Sequence, residues 1–478
     1  MRDNILRLGK ETLIYGTSTI VARLFNFFLV PVYTYYLITS DYGIIATVFA
    51  FMALMNIIYQ YGMDQAYLRF AKDKDGKDVF ATPFIAVLVS AILISAIICL
   101  LSPWLAALLG IGRQNAYLIQ IACVVMAFDA LNIVPFAKLR FTHRPWYFVA
   151  ARTLSILVNV AGNIIALAWL SAGLSGIFIA GIFASLTSLI LLIPVIKEDF
   201  VPRFNKPLFK EMFAFSWPFI PAGMASILVN VIDKPLLSHL AGLGEVGVYQ
   251  ANFKIGIFMM LIVSMFDQAW RPFFIQQASK ADHKELFAKI LTYFTALATW
   301  IFLGLTMLMP TIIKTKFFGV HLIHPNYWGG MGIIPLVLAG YLFYGFYINF
   351  MVAPVLTKKT RVLMWITLLG ALSSIVVNII LVPSIGIIGA GWAILTSYIV
   401  MAASLFIFLE RNYPIIYEYR KLTLMAAATI LMLLLNLYFG GVDSVGNTAL
   451  LIKIAALAIY PLAMCLIIKD TTAHKKFF

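Results

Sequence analysis

Two stretches of the chain repeat one pattern at a spacing of 204 residues. The first runs through Asn26, Pro31, Asp41 and Gly43 to Asp64-Gln65-Ala66-Tyr67, and the second through Asn230, Pro235, Glu245 and Gly247 to Asp267-Gln268-Ala269-Trp270. The offset falls to 203 at the Asp-Gln-Ala triplet, so a single deletion separates the copies. Later segments agree. Asn163-Ile164-Ile165 ahead of Gly173-x-x-Gly176 echoes Asn378-Ile379-Ile380 ahead of Gly386-x-x-Gly389, and Thr142-His143-Arg144 resembles Thr357-Lys358-Lys359. A chain that repeats itself over such a length folds as two copies of one unit.

Hydropathy says what the unit is. With 62% hydrophobic and 12% charged residues, the chain has too little polar surface to cover a water-soluble globule of 478 residues. Apolar runs of the length needed to cross a bilayer as helix occur at fourteen positions: 12–37, 43–63, 79–101, 115–136, 147–171, 174–196, 212–235, 246–270, 287–309, 328–354, 362–383, 387–409, 422–439 and 448–468. The first reads as a retained helix, because no small-residue cleavage pattern follows it. With the N-terminus inside, 27 of the 35 basic residues fall in cytoplasmic segments, and only Arg113, Lys314 and Lys316 lie outside. This bias places both termini in the cytoplasm. Spans 1 and 7 then start on the same side, so the repeats are parallel and related by an axis along the membrane normal. The expected architecture is an all-α polytopic membrane protein with an N-terminal six-helix lobe (1–210), a second six-helix lobe (211–415) and an appended helix pair (416–478).

Several function classes drop out. The formal charge of +15 sits in short clusters between apolar runs and does not mark a nucleic-acid surface. Cys99, Cys123 and Cys465 are scattered without metal or disulfide spacing, and the six histidines form no H-E-x-x-H, so no metal or cofactor is expected. No Walker G-x-x-x-x-G-K-[ST] is present, and Gly173, Gly176, Gly386 and Gly389 read as turns or helix starts. The longest outside loop, about residues 310–327, is too short to carry a folded active site. An enzyme is therefore not expected.

Ionisable groups at membrane depth are costly and by default mark a pathway. Arg23 lies halfway along span 1, Arg152 early in span 5, Lys234 in span 7 and Lys254 in span 8; with Asn26 they are the candidate lining of a central cavity that would attract an anion. Arg152 and Lys254 lie near enough to span ends to snorkel instead, and Lys234 beside Asp233 has a local ion pair as its other reading. Asp64 and Asp267, followed by Arg69 and Arg271, are candidates for an inner gate or for helix-end structure. Asp129 in span 4 either holds a proton or cation or pairs with Arg23 or Arg152. Pro31 and Pro235 remove backbone donors at matched positions and are candidate hinges.

The opening Leu8-Gly9-Lys10-Glu11-Thr12-Leu13-Ile14-Tyr15-Gly16, then Ala22-Arg23-Leu24-Phe25-Asn26-Phe27, Tyr33-Thr34-Tyr35-Tyr36-Leu37 with Asp41-Tyr42-Gly43, and Tyr61-Gly62-Met63-Asp64 resemble the multidrug/oligosaccharidyl-lipid/polysaccharide exporter superfamily. Within it, the chain resembles the Wzx-type polysaccharide (O-antigen, oligosaccharide) flippases over essentially its whole length. The resemblance implies two six-helix lobes forming a V around a cavity that opens alternately to each side. It also implies a cargo of undecaprenyl-pyrophosphate-linked oligosaccharide carried to the periplasmic leaflet of the cell inner membrane, in lipopolysaccharide or similar synthesis, with membrane lipids and polysaccharide polymerase machinery as partners. Lipid II flippases are similar, but the second arginine expected six positions after Arg23 is Leu29 here. The other readings are a cation-coupled multidrug exporter and, from a different class, a membrane glycan polymerase.

Overall fold

The computed structural model describes residues 23–73, 76–317, 319–438 and 447–469. Among them are thirteen helical spans long and apolar enough to cross a membrane. They correspond to spans 2–14 of the sequence; of span 1, residues 23–36 are helical (α1) and its start lies outside the described residues. Fully helical backbone is what hydrocarbon demands, because every N–H and C=O must then be satisfied within its own segment. The chain divides into two compact units, Met1–Gly247 and Val248–Phe478.

In the first unit, span 2 is α2 (Thr39–Gln60) followed by α3 (Met63–Asp73). The break falls at Tyr61 and Gly62, with φ of +30° and +72°, and the Tyr61 N–H still bonds the Ile57 carbonyl. Spans 3–6 are α4 (Asp78–Leu108), α5 (Ala116–Phe141), α6 (Pro145–Ile164, extended by a π turn to Trp169) and α7 (Gly173–Asp199). Span 7 is in three pieces: α8 (Lys206–Ser216), α9 (Phe219–Val231) and α10 (Asp233–Leu240). The breaks coincide with Pro218 and Pro235, which cannot donate to the preceding turn. Asn205 caps α8, its side chain accepting from the Leu208 N–H at 3.1 Å.

The repeat shows directly in one contact of this unit. A Cβ placed on Gly43 would lie 1.9 Å from the Leu243 carbonyl oxygen, and one on Gly247 would lie 1.9 Å from the Thr39 carbonyl oxygen. Thr39 and Leu243 are themselves 204 residues apart. The contact is thus reciprocal, the pattern a two-fold axis produces, and it explains why both copies keep glycine there. The same logic holds at the other repeated glycines. Gly173 and Gly386 have φ of +56° and +61° where α7 and its counterpart begin. Gly176 and Gly389 pack with no room for a side chain, against Ala166 and Leu381 respectively.

In the second unit, span 8 is α11 (Leu243–Phe253, which starts in the first unit), a 3₁₀ turn at Lys254–Gly256 and α12 (Ile257–Gln277). There follow α13 (His283–Lys314), a 3₁₀ stretch Pro325–Ile333 leading into α14 (Ile334–Phe350) and α15 (Val352–Leu356), α16 (Arg361–Ile385), α17 (Ile387–Asn412), α18 (Tyr419–Tyr438) and α19 (Asn447–Lys469). The loop after α13 carries the one sheet among the described residues, Lys316–Phe317 paired antiparallel with Val320–His321, which the all-helical reading did not include. The appended pair α18 and α19 docks on α13. The fully buried Tyr460 hydroxyl donates to Thr299 Oγ1 at 2.8 Å and meets Thr429 Oγ1 at 2.8 Å, and Trp300 Nε1 donates to the Leu457 carbonyl at 3.0 Å.

Candidate functional site

Charged side chains that face apolar surroundings find partners or pay for desolvation, and the expected site residues sort accordingly. Arg23 is half-buried on α1 and Asn26, one turn on, is exposed. Pro31 lies within α1, which runs through it without a break, and Thr34 Oγ1 donates to its carbonyl at 3.1 Å. Leu29, where a second arginine was looked for, is buried.

Lys234 is buried with its neighbour Asp233. Its Nζ donates to Asp233 Oδ1 at 2.8 Å and to the Asn230 carbonyl at 3.0 Å. Of the two readings of Lys234, the local ion pair is the geometry seen. Pro235, next in sequence, is the third residue of α10, just past the kink, and its carbonyl accepts from Ser238 Oγ at 2.8 Å.

Asp129 on α5 accepts a hydrogen bond from Ser185 Oγ on α7 at 2.6 Å. Arg152 on α6 lies 5.8 Å from the Phe136 ring centroid and close enough to Asp129 to act on its carboxylate. The structure therefore brings Asp129 and Arg152 into one electrostatic neighbourhood inside the first unit. In the second unit, Lys254 is half-buried on the 3₁₀ turn that interrupts span 8.

The two copies of the gate candidate differ. Asp64 accepts from Gln65 Nε2 at 2.7 Å and from Arg140 Nη2 at 3.3 Å, whereas Arg69 pairs with Asp73 one turn along α3. In the other copy, Asp267 pairs with Arg271 on its own helix at 2.5 Å. Asp64 thus ties α3 to α5, a tertiary link whose partner the sequence does not single out.

One ionic cluster escaped the sequence reading altogether. Lys138, counted there as a cytoplasmic loop charge, is buried at the end of α5; its Nζ lies 2.6 Å from Asp199, 3.1 Å from Glu198 and 2.9 Å from the Val195 carbonyl, with the Phe80 ring at 5.1 Å. Arg144 adds a 2.7 Å bond to Glu198. The signal available was opposite charge at the same-side ends of spans 4 and 6. Among the described residues no group of three or more His, Cys, Asp or Glu is placed to hold a metal ion.

Residues 8–278, more than half of the chain, match the family model for polysaccharide biosynthesis proteins. The chain belongs to that family. Its fold superposes on the lipid II flippase MurJ in an inward closed conformation, with a TM-score of 0.75 at 17% identity, covering 96% of this chain and 100% of that one. It is also similar to multidrug resistance MATE family transporters of the MOP superfamily. An inward-facing structure gives a TM-score of 0.59 at 12% identity over 85% of this chain and 96% of that one, and an outward-facing one gives 0.54 at 14% over 84% and 94%. Comparison with curated proteins finds no match. The chain is a multi-pass membrane protein with the fold of a transporter.

Proposed function

We propose that this protein is a flippase that moves an undecaprenyl-pyrophosphate-linked oligosaccharide from the cytoplasmic to the periplasmic leaflet of the inner membrane. The observation that carries the reading is the family match combined with a fold shared, over nearly the whole chain, with a flippase. In this reading the repeats 1–210 and 211–415 alternate access to a lumen lined by Arg23, Asn26, Arg152, Lys234 and Lys254, while 416–478 serves the lipid side. Both termini are cytoplasmic. A bare pyrophosphate cannot enter hydrocarbon, and cationic side chains replace its water with charge-assisted hydrogen bonds. An inside-negative potential assists export of an anion by about 2.3 kcal/mol per charge per 100 mV. Asp64, Asp267, Arg69 and Arg271 are the proposed inner gate, Asp129 the coupling group, and Pro31 and Pro235 the hinges.

The test is reconstitution into vesicles carrying a polyprenyl-pyrophosphate oligosaccharide, with exposure at the outer leaflet read by an impermeant glycosidase. Protein-dependent exposure of the saccharide is expected; exposure no faster than in empty vesicles refutes the reading. Lipid II is the second candidate cargo, favoured by the fold match to its flippase, and the same assay run with lipid II ranks the two.

A further inference from the structure

At the basic end of the first unit, a cavity of about 510 Å³ opens among α2, α4, α8 and α9, lined by residues including Tyr61, Ala86, Val89, Phe204, Phe209 and Phe213. Its size falls in the range of about 300–1,000 Å³ usual for small-molecule sites. The lining is almost wholly apolar, and of its two hydroxyls Ser90 Oγ lies 3.1 Å from the Val87 carbonyl and 3.3 Å from Tyr61 OH. Water finds fewer than the usual two to four partners over most of that wall, whereas hydrocarbon gains dispersion contacts along it. The rim includes Val89 and Leu93 of α4, both more than half exposed on a membrane-spanning helix. Hydrocarbon from the bilayer is therefore the natural filling.

Hydrocarbon alone gains little by leaving one apolar medium for another, so selectivity must come from the headgroup. Lys206, Phe209, Lys210 and Phe213 follow at i, i+3, i+4 and i+7 along α8, which puts two cations and two cavity-lining rings on one face. Both lysines are exposed, and no described acidic side chain forms an ion pair with either. Arg203, beside the lining residue Phe204, is 4.0 Å from Asp78 and so is partly neutralised. The rings of Phe204, Phe209 and Phe213 succeed one another at 5.4 and 5.8 Å, with Tyr61 next at 6.2 Å, so an apolar aromatic wall runs alongside the two lysines.

We propose that this cavity is a binding site for one acyl chain of an anionic phospholipid of the adjoining leaflet, whose phosphate is held by Lys206 and Lys210. The volume suits an ordinary acyl chain and is far too small for a long polyisoprenoid. The site lies wholly within the first unit and does not depend on the identity of the cargo.

The test is native mass spectrometry of the full-length protein released from vesicles containing equal phosphatidylglycerol and phosphatidylcholine of the same acyl chains, with polyprenyl phosphate as a third competitor. Phosphatidylglycerol should be retained roughly tenfold over phosphatidylcholine, the preference expected from two cations at the surface. Lys206→Glu with Lys210→Glu should abolish the preference. Val89→Trp, a rim change that leaves the buried packing in place, should lower retention of both phospholipids. Equal retention of the two, a preference untouched by the charge reversals, or polyprenyl phosphate displacing phosphatidylglycerol would each overturn the assignment.

Discussion

Replacing Gly43 with alanine puts a methyl carbon where the Leu243 carbonyl oxygen leaves 1.9 Å, and Gly247→Ala does the same against the Thr39 carbonyl. Neither obstacle is a side chain that can rotate away, so the two helix starts must separate by about 1.5 Å to restore ordinary contact. Overpacking of this kind costs about 1–3 kcal/mol, against which alanine returns up to about 1 kcal/mol of helix propensity. Each single substitution should therefore destabilise by about 1–2 kcal/mol. One separation relieves both clashes, so the double variant should cost at least about 1 kcal/mol less than the sum. Reversible unfolding in mixed detergent–lipid micelles measures all four corners of the cycle. Strict additivity, or singles as stable as the parent, would refute the shared seam.

Lys138→Met leaves Glu198 and Asp199 without their buried cation; allowing for the partial exposure of both carboxylates, the loss should be about 1–3 kcal/mol, and adding Asp199→Asn should recover part of it in the same unfolding assay. Tyr460→Phe removes a hydroxyl shared by Thr299 and Thr429 and should cost about 1 kcal/mol, because both threonines keep a backbone acceptor; a loss no larger than for the exposed Tyr117→Phe would deny the hub. Partial burial raises the Glu418 pKa, but bonds from Lys421 and Thr292, both 2.7 Å, outweigh it and hold the carboxyl below its ordinary value. A depressed folded pKa means this stabilisation is present above the unfolded value and disappears as pH falls through the folded one. Acidification below the usual carboxylate range should therefore speed proteolysis between α17 and α18, and Glu418→Gln should remove that pH step.

Periodic hydrophobicity and repetition made the helices legible, because a span in lipid needs only length and apolar character. What they could not show was where a span breaks. The proline-linked kinks of span 7 were visible in Pro218 and Pro235, but the turn at Tyr61 and Gly62 ahead of Asp64 carries no proline and has no copy at the matching place in span 8. Partners were harder still. Arg69 follows Asp64 closely in sequence, yet a helix puts residues five apart on different faces, and the arginine that meets Asp64 is Arg140 from α5. Lys138 was one loop lysine among many until α7 delivered two carboxylates to it. The repeated asparagines show divergence that only coordinates expose: Asn163 Oδ1 accepts from Tyr33 OH at 2.9 Å, whereas the buried Asn378 Oδ1 has no partner among the described residues.

A positively charged lumen that carries a lipid-linked anion is tested most directly by Arg23→Ala in reconstituted vesicles, compared with the parent at equal protein incorporation. The expected result is at least a tenfold fall in the rate of saccharide exposure at the outer leaflet, with Arg23→Lys keeping most of it, since losing a charge-assisted phosphate contact is worth about 1.5–3 kcal/mol. Exposure by Arg23→Ala at the parent rate would contradict the cationic path.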